Sequence, residues 1–116
     1  MPRYRLRFFF SPGSAVCLWS DNAAAREKWD YSIDVQQLPL PENLWRFALH
    51  LCAWHDTSID WDYPPGPSPW AAAERGRFNR AAQDFLSVLR GQLGDEFEVI
   101  DESDTAANHG LARKLT

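Results

Sequence analysis

The stretch from His55 to Trp70 reads HDTSIDWDYPPGPSPW and contains the residues of this chain best suited to chemistry. It combines two tryptophans, one tyrosine, three aspartates and four prolines, and it has no lysine or arginine. Carboxylates can bind cations or move protons, and aromatic rings can stack on a ligand or anchor a protein partner. We call residues 55–70 the 55–70 segment and weigh four kinds of site for it and its surroundings.

A metal site is the first alternative, since His55, Asp56, Asp60 and Asp62 form the pattern HDx3DxD. The pattern lacks the glycine and the distal glutamate of a calcium-binding loop, and it offers one histidine where zinc usually has more nitrogen or sulfur ligands. Aspartates beside a helix end and prolines more often form local turns. We therefore predict no metal and no cofactor.

Acid–base catalysis by Asp60 and Asp62 is the second alternative. In an extended chain, carboxylates two residues apart point the same way at about 6 to 7 Å, which is within the range used by glycosidases. Trp61 and Tyr63 could then stack on a sugar. A short chain leaves little room for a deep cleft, however, and both carboxylates lie on a proline-rich loop. A small glycan-binding protein or hydrolase stays as an alternative, and we predict no catalytic residue.

Nucleophilic catalysis is the third alternative, and the two cysteines do not favour it. Cys17 lies in a predicted strand and Cys52 in a predicted buried helix, neither beside an obvious basic group, and the sequence has no GxSxG motif. Two cysteines do not make a disulfide scaffold. We interpret both as reduced, buried thiols.

Protein binding is the fourth alternative and our preferred one. Four prolines restrict the 55–70 segment, so it can present side chains with little further loss of entropy. A second acidic stretch, GDEFEVIDESD at 94–104, could add to the same surface or pair with Arg3, Arg5 and Arg7 across the sheet. The competing structural interpretation has the aromatic rings of the 55–70 segment covering the helix ends. The predicted partner-binding residues are Asp56, Asp60, Trp61, Asp62, Tyr63, Trp70 and Glu98.

The elements that must position these residues follow from hydrophobic periodicity. RYRLRFFF alternates as a half-buried strand, SPG is a turn, and AVCLW at 15–19 is a second strand of a hairpin. AAAREKW at 23–29 is a short helix, and a long helix runs from Glu42 to about His55. A second long helix begins at Ser68 and Pro69 and ends at Gly94, and FEVID at 97–101 is the last strand.

This element order predicts an α+β fold, a two-layer sandwich in which two long helices cover a small antiparallel sheet of three or more strands. We expect one domain over residues 1–103 and a flexible tail over residues 104–116. The expected core consists of Tyr4, Leu6, Phe8, Leu44, Phe47, Leu51, Phe78, Phe85 and Leu89.

Composition limits the class of partner. The chain has 116 residues, a formal net charge of −4 and 45% hydrophobic residues, as expected for a folded protein that does not bind nucleic acid or an anionic membrane. No apolar run approaches the roughly 20 residues that a membrane helix needs. The start of the chain does not match an export signal, because Pro12 and Gly13 interrupt its apolar run. We therefore expect a cytoplasmic protein.

Four short motifs carry a resemblance to small bacterial proteins of uncharacterised activity. They are LPL before the first long helix, DTSIDWD and PSPW within the 55–70 segment, and LGDEFEV at the last strand, spread over residues 15–101. In size and acidity the chain also resembles immunity proteins, which protect a bacterium by binding a toxin domain. The resemblance implies a cytoplasmic protein-binding inhibitor whose partner is a basic toxin domain. An accessory subunit of a larger complex is a further alternative, and the oligomeric state stays open.

Overall fold

The computed structural model describes residues 2–103, which contain three strands, three α-helices and one 3₁₀ turn. The strands are β1 (Tyr4–Phe8), β2 (Leu18–Ser20) and β3 (Phe97–Asp101). The helices are α1 (Ala23–Trp29), α2 (Glu42–Asp56) and α3 (Ala72–Leu93), and the 3₁₀ turn spans Val35–Gln37. The predicted α+β class is confirmed.

The first strand lies at the centre of the sheet, whose order is β2-β1-β3. Its apolar side chains Tyr4, Leu6 and Phe8 are buried, while Arg5 is exposed and Arg7 is half-buried on the other face. This alternation is the one that the sequence predicts for a strand with one solvated face. The hairpin to β2 is confirmed, with antiparallel pairs such as Phe8 with Leu18, but its second strand spans Leu18–Ser20 and not the predicted residues 15–19.

The sheet is mixed, and the prediction of an antiparallel sheet is wrong for one of its two strand pairs. β3 runs parallel to β1, with Arg5 opposite Glu98 and Phe8 opposite Asp101. A parallel pair requires a long crossover connection, which here passes through all three helices. The apolar pattern of FEVID predicts a strand but is the same for either direction, so it could not settle this point.

The sheet is not covered by the two long helices alone, as the sequence predicted. α1 contacts β1 and β2, α3 contacts β3, and α2 packs against α3 and the 3₁₀ turn. The inner face of β1 meets α3 through the rings of Phe8 and Phe85, whose centroids lie 5.9 Å apart. The short helix α1 is therefore one of the helices that cover the sheet, and α2 packs mainly against α3.

The buried apolar side chains form a single cluster that includes eight of the nine residues expected in the core. Phe47 is the exception, because 37% of its surface is exposed. The buried positions of α2 are Leu44, Ala48, Leu51 and Cys52, and Phe47 lies at the border of this face. The prediction that Phe47 is a core residue is therefore wrong.

The local sequence predicts one end of α3 correctly and the other end incorrectly. Gly94 ends the helix as predicted, with φ of 78° and its N–H donated to the carbonyl of Arg90. The start differs, because the helix begins at Ala72 and not at Ser68 and Pro69. The hydroxyl of Ser68 accepts the backbone N–H of Trp70 at 3.1 Å, so it forms a local turn instead of capping the helix.

None of the helices within residues 2–103 combines the length and the apolarity that spanning a membrane requires. The expected flexible tail, residues 104–116, lies outside the described residues.

Candidate binding surface

The middle of the 55–70 segment, residues 57–66, is a succession of turns. The carboxylate of Asp60 accepts the backbone N–H groups of Asp62 at 3.1 Å and Tyr63 at 3.3 Å. Its carbonyl accepts the Tyr63 N–H at 3.0 Å, and the Tyr63 carbonyl accepts the Gly66 N–H at 2.8 Å. The chain is not extended here, so the strand spacing considered for Asp60 and Asp62 does not apply.

The two tryptophans of the segment have different surroundings although both indole N–H groups are satisfied. Trp70 donates to the hydroxyl of Thr57 at 2.7 Å and packs its half-buried ring near Trp54 and Phe78, with centroids 6.3 and 5.2 Å away. Trp61 donates to the carbonyl of Asp56 at 2.9 Å, yet 55% of its surface is exposed. The structural interpretation therefore fits Trp70, while Trp61 remains free for contact.

Tyr63 is the most exposed large apolar side chain among the described residues, at 63%. Its ring lies against Gly66, where a Cβ atom would come within 2.7 Å of the ring. A Cβ atom there would also come within 3.1 Å of the Tyr63 carbonyl oxygen, so glycine suits this position. The segment thus presents two aromatic rings, those of Trp61 and Tyr63, on a folded turn.

The segment is tied to the loop between β1 and β2. The carboxylate of Asp56, the last residue of α2, accepts the backbone N–H of Gly13 at 3.0 Å. The Trp61 ring also lies near Gly13, 3.7 Å from where a Cβ atom would be. Two parts of the chain that are far apart in sequence therefore hold the exposed ring in place.

His55 lies inside an aromatic cluster and not on the surface of the segment. Its imidazole stacks on Phe10, with centroids 5.2 Å apart and planes at 16°, and it also contacts Phe78 and Trp70. Its Nδ1 is buried and has no hydrogen-bond partner among residues 2–103. Burial lowers the pKa of His55, the nearby Asp56 opposes this effect, and Arg75 adds to it.

The residues of the HDx3DxD pattern therefore make different contacts and do not converge on one site. His55 faces the aromatic cluster, Asp56 binds Gly13, and Asp60 closes its own turn. Within residues 2–103, no three potential metal-binding side chains of the histidine, cysteine, aspartate or glutamate type lie together.

Glu98 is exposed on β3 but is not brought next to the 55–70 segment. It lies opposite Arg5 in the sheet, whereas the segment meets β1 beyond its other end, at Phe10. Five residues of extended chain separate Arg5 from Phe10, which is about 16 Å. The predicted partner-binding residues thus form one group on the segment and one remote carboxylate.

The arginine row neutralises only part of the acidic stretch. Arg7 pairs with Glu102 at 2.7 Å, as the intramolecular alternative predicts. Arg5 pairs instead with Asp21 at 2.9 Å, which lies in the turn before α1. The Glu98 carboxylate has no ion pair within the described residues, so it stays available.

A groove on α2 was missed by sequence reasoning. It is lined by His50, Ala53, Trp54 and Thr57 and has a volume of about 390 Å³. We call it the α2 groove. Phe47 extends it along the helix, since its ring centroid lies 5.7 Å from that of His50. Its lining residues follow the i, i+3, i+4, i+7 spacing of one helix face, which is the signal that could have revealed it.

A larger groove of about 890 Å³ runs between the end of α3 and the outer edge of β3. Arg90 donates to the carbonyl of Val99 at 2.6 Å along this edge. Such a contact satisfies a backbone acceptor that would otherwise invite another strand. We therefore interpret this groove as the edge of the sheet at β3, which Arg90 protects.

Both cysteines are buried and free, as the sequence predicts. A hydrogen bond with Cys52 raises the pKa of the Cys17 thiol well above its usual range, and burial acts in the same direction. A thiol in such surroundings is a poor nucleophile.

The chain matches no protein-family model and no curated protein sequence.

Proposed function

We propose that this chain is a protein-binding inhibitor of the immunity type, which neutralises a basic toxin domain by direct contact in the cytoplasm. The observation that carries the proposal is the pair of exposed rings, Trp61 and Tyr63, on an internally bonded segment without a basic residue. Aromatic anchors surrounded by polar groups are the side chains that contribute most to protein interfaces.

Preorganisation supports this proposal. Asp60 and Gly66 fix the turns on either side of Tyr63, and the Trp61 indole is bonded to the end of α2. The segment therefore loses little conformational entropy when it meets a partner, and more of the contact energy remains for binding.

The charge of the segment supports a basic partner. The Asp62 carboxylate is exposed and makes no hydrogen bond or ion pair within residues 2–103, and neither Asp56 nor Asp60 forms an ion pair there. Unpaired carboxylates around aromatic anchors accelerate the encounter with a basic surface. Glu98 would contribute to such steering from a distance, not to the central contact.

A glycan-binding protein is the second candidate, because Trp61 and Tyr63 could also stack on a sugar ring. Hydrolysis is less well supported. The Asp60 carboxylate is committed to two backbone N–H groups, and Asp62 does not share an extended strand with it.

The first test is to capture the partner from a lysate. The purified chain, immobilised, is exposed to cytoplasmic lysate of its native host, and retained proteins are identified by mass spectrometry beside Trp61→Ala and Tyr63→Ala variants. Tyr31→Ala is the matched control, because Tyr31 is an exposed aromatic residue (47%) outside the segment. We expect a basic protein that the control retains and the two segment variants lose.

The retained protein is then expressed alone and together with the chain. We expect it to arrest growth alone and to be harmless in combination. A captured protein that is not toxic, or toxicity that the chain does not relieve, would contradict the immunity-type proposal. Equal retention by all variants would place the interface outside the 55–70 segment.

A further inference from the structure

We infer that a cavity at the start of β1 binds a small carboxylate that carries an apolar ring. The cavity has a volume of about 430 Å³ and is formed by four parts of the chain: the start of β1, the end of α1, the end of the 3₁₀ turn and the start of β3. We call it the β1 cavity. It is separate from the surface proposed to bind a toxin domain, because the 55–70 segment meets the chain beyond the other end of β1, at Phe10.

The size and the walls of the β1 cavity suit a small molecule. Its volume lies within the range of about 300 to 1,000 Å³ that is usual for ligand pockets. Three rings line it, those of Tyr4, Trp29 and Phe97. The centroid of Tyr4 lies 4.8 Å from that of Trp29 and 5.2 Å from that of Phe97. Because these rings pack on one another, the aromatic wall exists before a ligand arrives.

Two polar groups of these rings have no partner. Tyr4 and Trp29 are only 7% and 8% exposed, yet neither the Tyr4 hydroxyl nor the Trp29 indole N–H makes a hydrogen bond within residues 2–103. Neither group is sealed from solvent, since His55 Nδ1 alone is both sealed and unpartnered among the described side-chain atoms. The indole N–H of Trp19, which is equally buried, donates to the Phe9 carbonyl at 3.1 Å. Tyr4 and Trp29 both line the cavity, so a ligand oxygen there can accept from them.

Two cations border the same cavity. The Arg3 guanidinium lies 5.3 Å from the centroid of the Tyr4 ring, and the Lys28 ammonium lies 5.7 Å from it. Neither cation belongs to an ion pair within residues 2–103. Two like charges near one ring repel each other, and an anion between them would relieve this repulsion. A carboxylate in the cavity would therefore have charged donors on Arg3 and Lys28.

Glu96 limits the charge of the ligand. Its backbone carbonyl accepts the N–H groups of Arg3 at 2.8 Å and Tyr4 at 2.9 Å, which fixes it beside the cavity that it lines. Its carboxylate has no ion pair within the described residues, and its acidic neighbours in the fold, Glu27 and Asp95, do not line the cavity. Two cations and one carboxylate complement a single negative charge, whereas a dianion such as phosphate would also meet Glu96.

The apolar lining requires that the ligand carry more than a charge. Leu38 and Pro39, which follow the 3₁₀ turn, line the cavity together with the ring of Phe97. Ion pairs exposed to solvent add little affinity by themselves. The burial of an apolar ring against these walls would supply the larger share, and the cations would select the carboxylate.

The first measurement titrates the full chain with phenylacetate up to millimolar concentration and follows amide NMR shifts. Three matched probes each lack one feature: phenylacetamide has no charge, acetate has no ring, and inorganic phosphate has no apolar part and a higher charge. We expect saturable shifts with phenylacetate that are centred on residues 3–4, 28–29, 37–39 and 96–97. Each of the other probes should bind about threefold or more weaker, because it loses either the ion pairs or the buried ring.

The second measurement repeats the titration with variants at exposed positions. Arg3→Gln and Lys28→Gln remove the two cations, and Arg26→Gln is the matched control, an exposed arginine of α1 that does not line the cavity. Gln37→Trp fills the cavity from an exposed lining position, and Gln36→Trp places the same ring next to it on an exposed position outside the lining. We expect about threefold or more weaker binding in Arg3→Gln, Lys28→Gln and Gln37→Trp, and unchanged binding in both controls.

Several results would overturn the inference. Absent or unsaturable shifts, or shifts centred on another part of the chain, would show that the β1 cavity does not bind this ligand class. Equal binding of acetate or phosphate would show a response to anions alone, and equal binding of phenylacetamide would show that charge has no role. Equal losses in Arg26→Gln or Gln36→Trp would have the same meaning for the variants. A capped tripeptide that ends in phenylalanine with a free carboxylate, if it bound about tenfold more tightly than phenylacetate, would identify a protein C-terminus as the ligand instead of a small molecule.

Discussion

At the scale of single residues, Trp61 and Trp70 show that one residue type can serve packing at one position and exposure at another. Trp70 contacts Trp54, His55 and Phe78, whereas Trp61 has Gly13 as its near neighbour and is mostly exposed. Each also makes one hydrogen bond through its indole. Stability and partner binding should therefore depend on different tryptophans.

We expect Trp70→Ala to lower the free energy of unfolding by about 2 to 4 kcal/mol, since a half-buried ring and its hydrogen bond are both lost. Trp61→Ala should cost only about 1 kcal/mol, close to the value of one hydrogen bond. Urea denaturation of the two variants measures both values. If Trp61→Ala unfolds the protein, the segment is a structural cover for the helices and its exposed ring is not an anchor.

His55 gives a prediction for the dependence of stability on pH. Its pKa is lowered in the folded state, so the unfolded chain binds more protons than the folded one around and below the unfolded pKa of about 6.5. The stabilising contribution is complete above that value and is lost as the pH falls toward the folded pKa. We expect denaturation midpoints to fall measurably between about pH 7 and pH 5.

The variant His55→Phe should remove this part of the pH dependence, because phenylalanine suits the aromatic cluster and does not titrate. His50→Gln is the matched control, since His50 is exposed on the same helix. A wild-type midpoint that is flat over this range, or one whose slope survives in His55→Phe, would show that His55 is not responsible.

At the scale of helices and strands, the contact between α2 and α3 gives a contrast between two neighbouring phenylalanines. Phe85 of α3 is buried and meets Phe8, whereas Phe47 of α2 lies at the surface with its ring centroid 6.1 Å from that of Phe85. We expect Phe85→Ala to cost about 3 to 5 kcal/mol and Phe47→Ala less than about 1.5 kcal/mol. Equal losses in urea denaturation would mean that Phe47 belongs to the core after all.

Local patterns predicted most of the elements and could not predict how they meet. The ends of α1, the end of α3 at Gly94 and the range of β3 follow from residue types within a few positions. The parallel direction of β3 depends on the path of the crossover, and the border position of Phe47 depends on where α3 lies. Neither is encoded in the period of a single element.

The candidate site shows the same division. Composition and prolines predicted an ordered, acidic, aromatic segment, and the structure places Asp60, Tyr63 and Gly66 in bonded turns there. The separation of Trp61 from Trp70 by exposure could not be foreseen, because it depends on the ends of two helices and on Gly13. The exposure of His50 and Ala53 agrees with the polar and neutral strip that the sequence of α2 contains, whereas the position of the Trp54 ring beside them depends on its hydrogen bond to Glu74 of α3.

At the scale of the whole molecule, opposite charges are distributed unevenly. Arginines of β1 pair with Glu102 and Asp21 around the sheet, whereas the range 47–74 has acids and no basic residue of its own. The acids without basic neighbours in sequence are shared between the 55–70 segment, where aromatic rings are exposed, and the stretch 94–104. On the segment, this charge favours the approach of a basic partner.

The enzyme alternative predicts a different response of the same residues. Asp60→Asn with Asp62→Asn keeps the size of both side chains, and an asparagine oxygen can still close the turn at position 60. If the protein hydrolysed glycans, this double change should abolish turnover without unfolding. We expect no turnover in the unmodified protein, and clear hydrolysis that the double change removes would favour the enzyme over the inhibitor.

The charge distribution leads to a prediction about association kinetics with the partner captured from the host. Screening shortens electrostatic steering to about 8 Å at physiological salt, so the association rate should fall as salt rises from low to physiological concentration. Asp62→Asn should lower that rate and reduce its salt dependence, and Glu98→Gln should do so less, since Glu98 lies away from the segment.

Trp61→Ala should instead raise the dissociation rate and weaken binding by about 2 kcal/mol or more, because short-range contact controls release. Surface-immobilised binding measured over a range of salt separates the two rates. Association that is insensitive to salt and to Asp62→Asn, together with unchanged dissociation in Trp61→Ala, would move the interface to another part of the molecule.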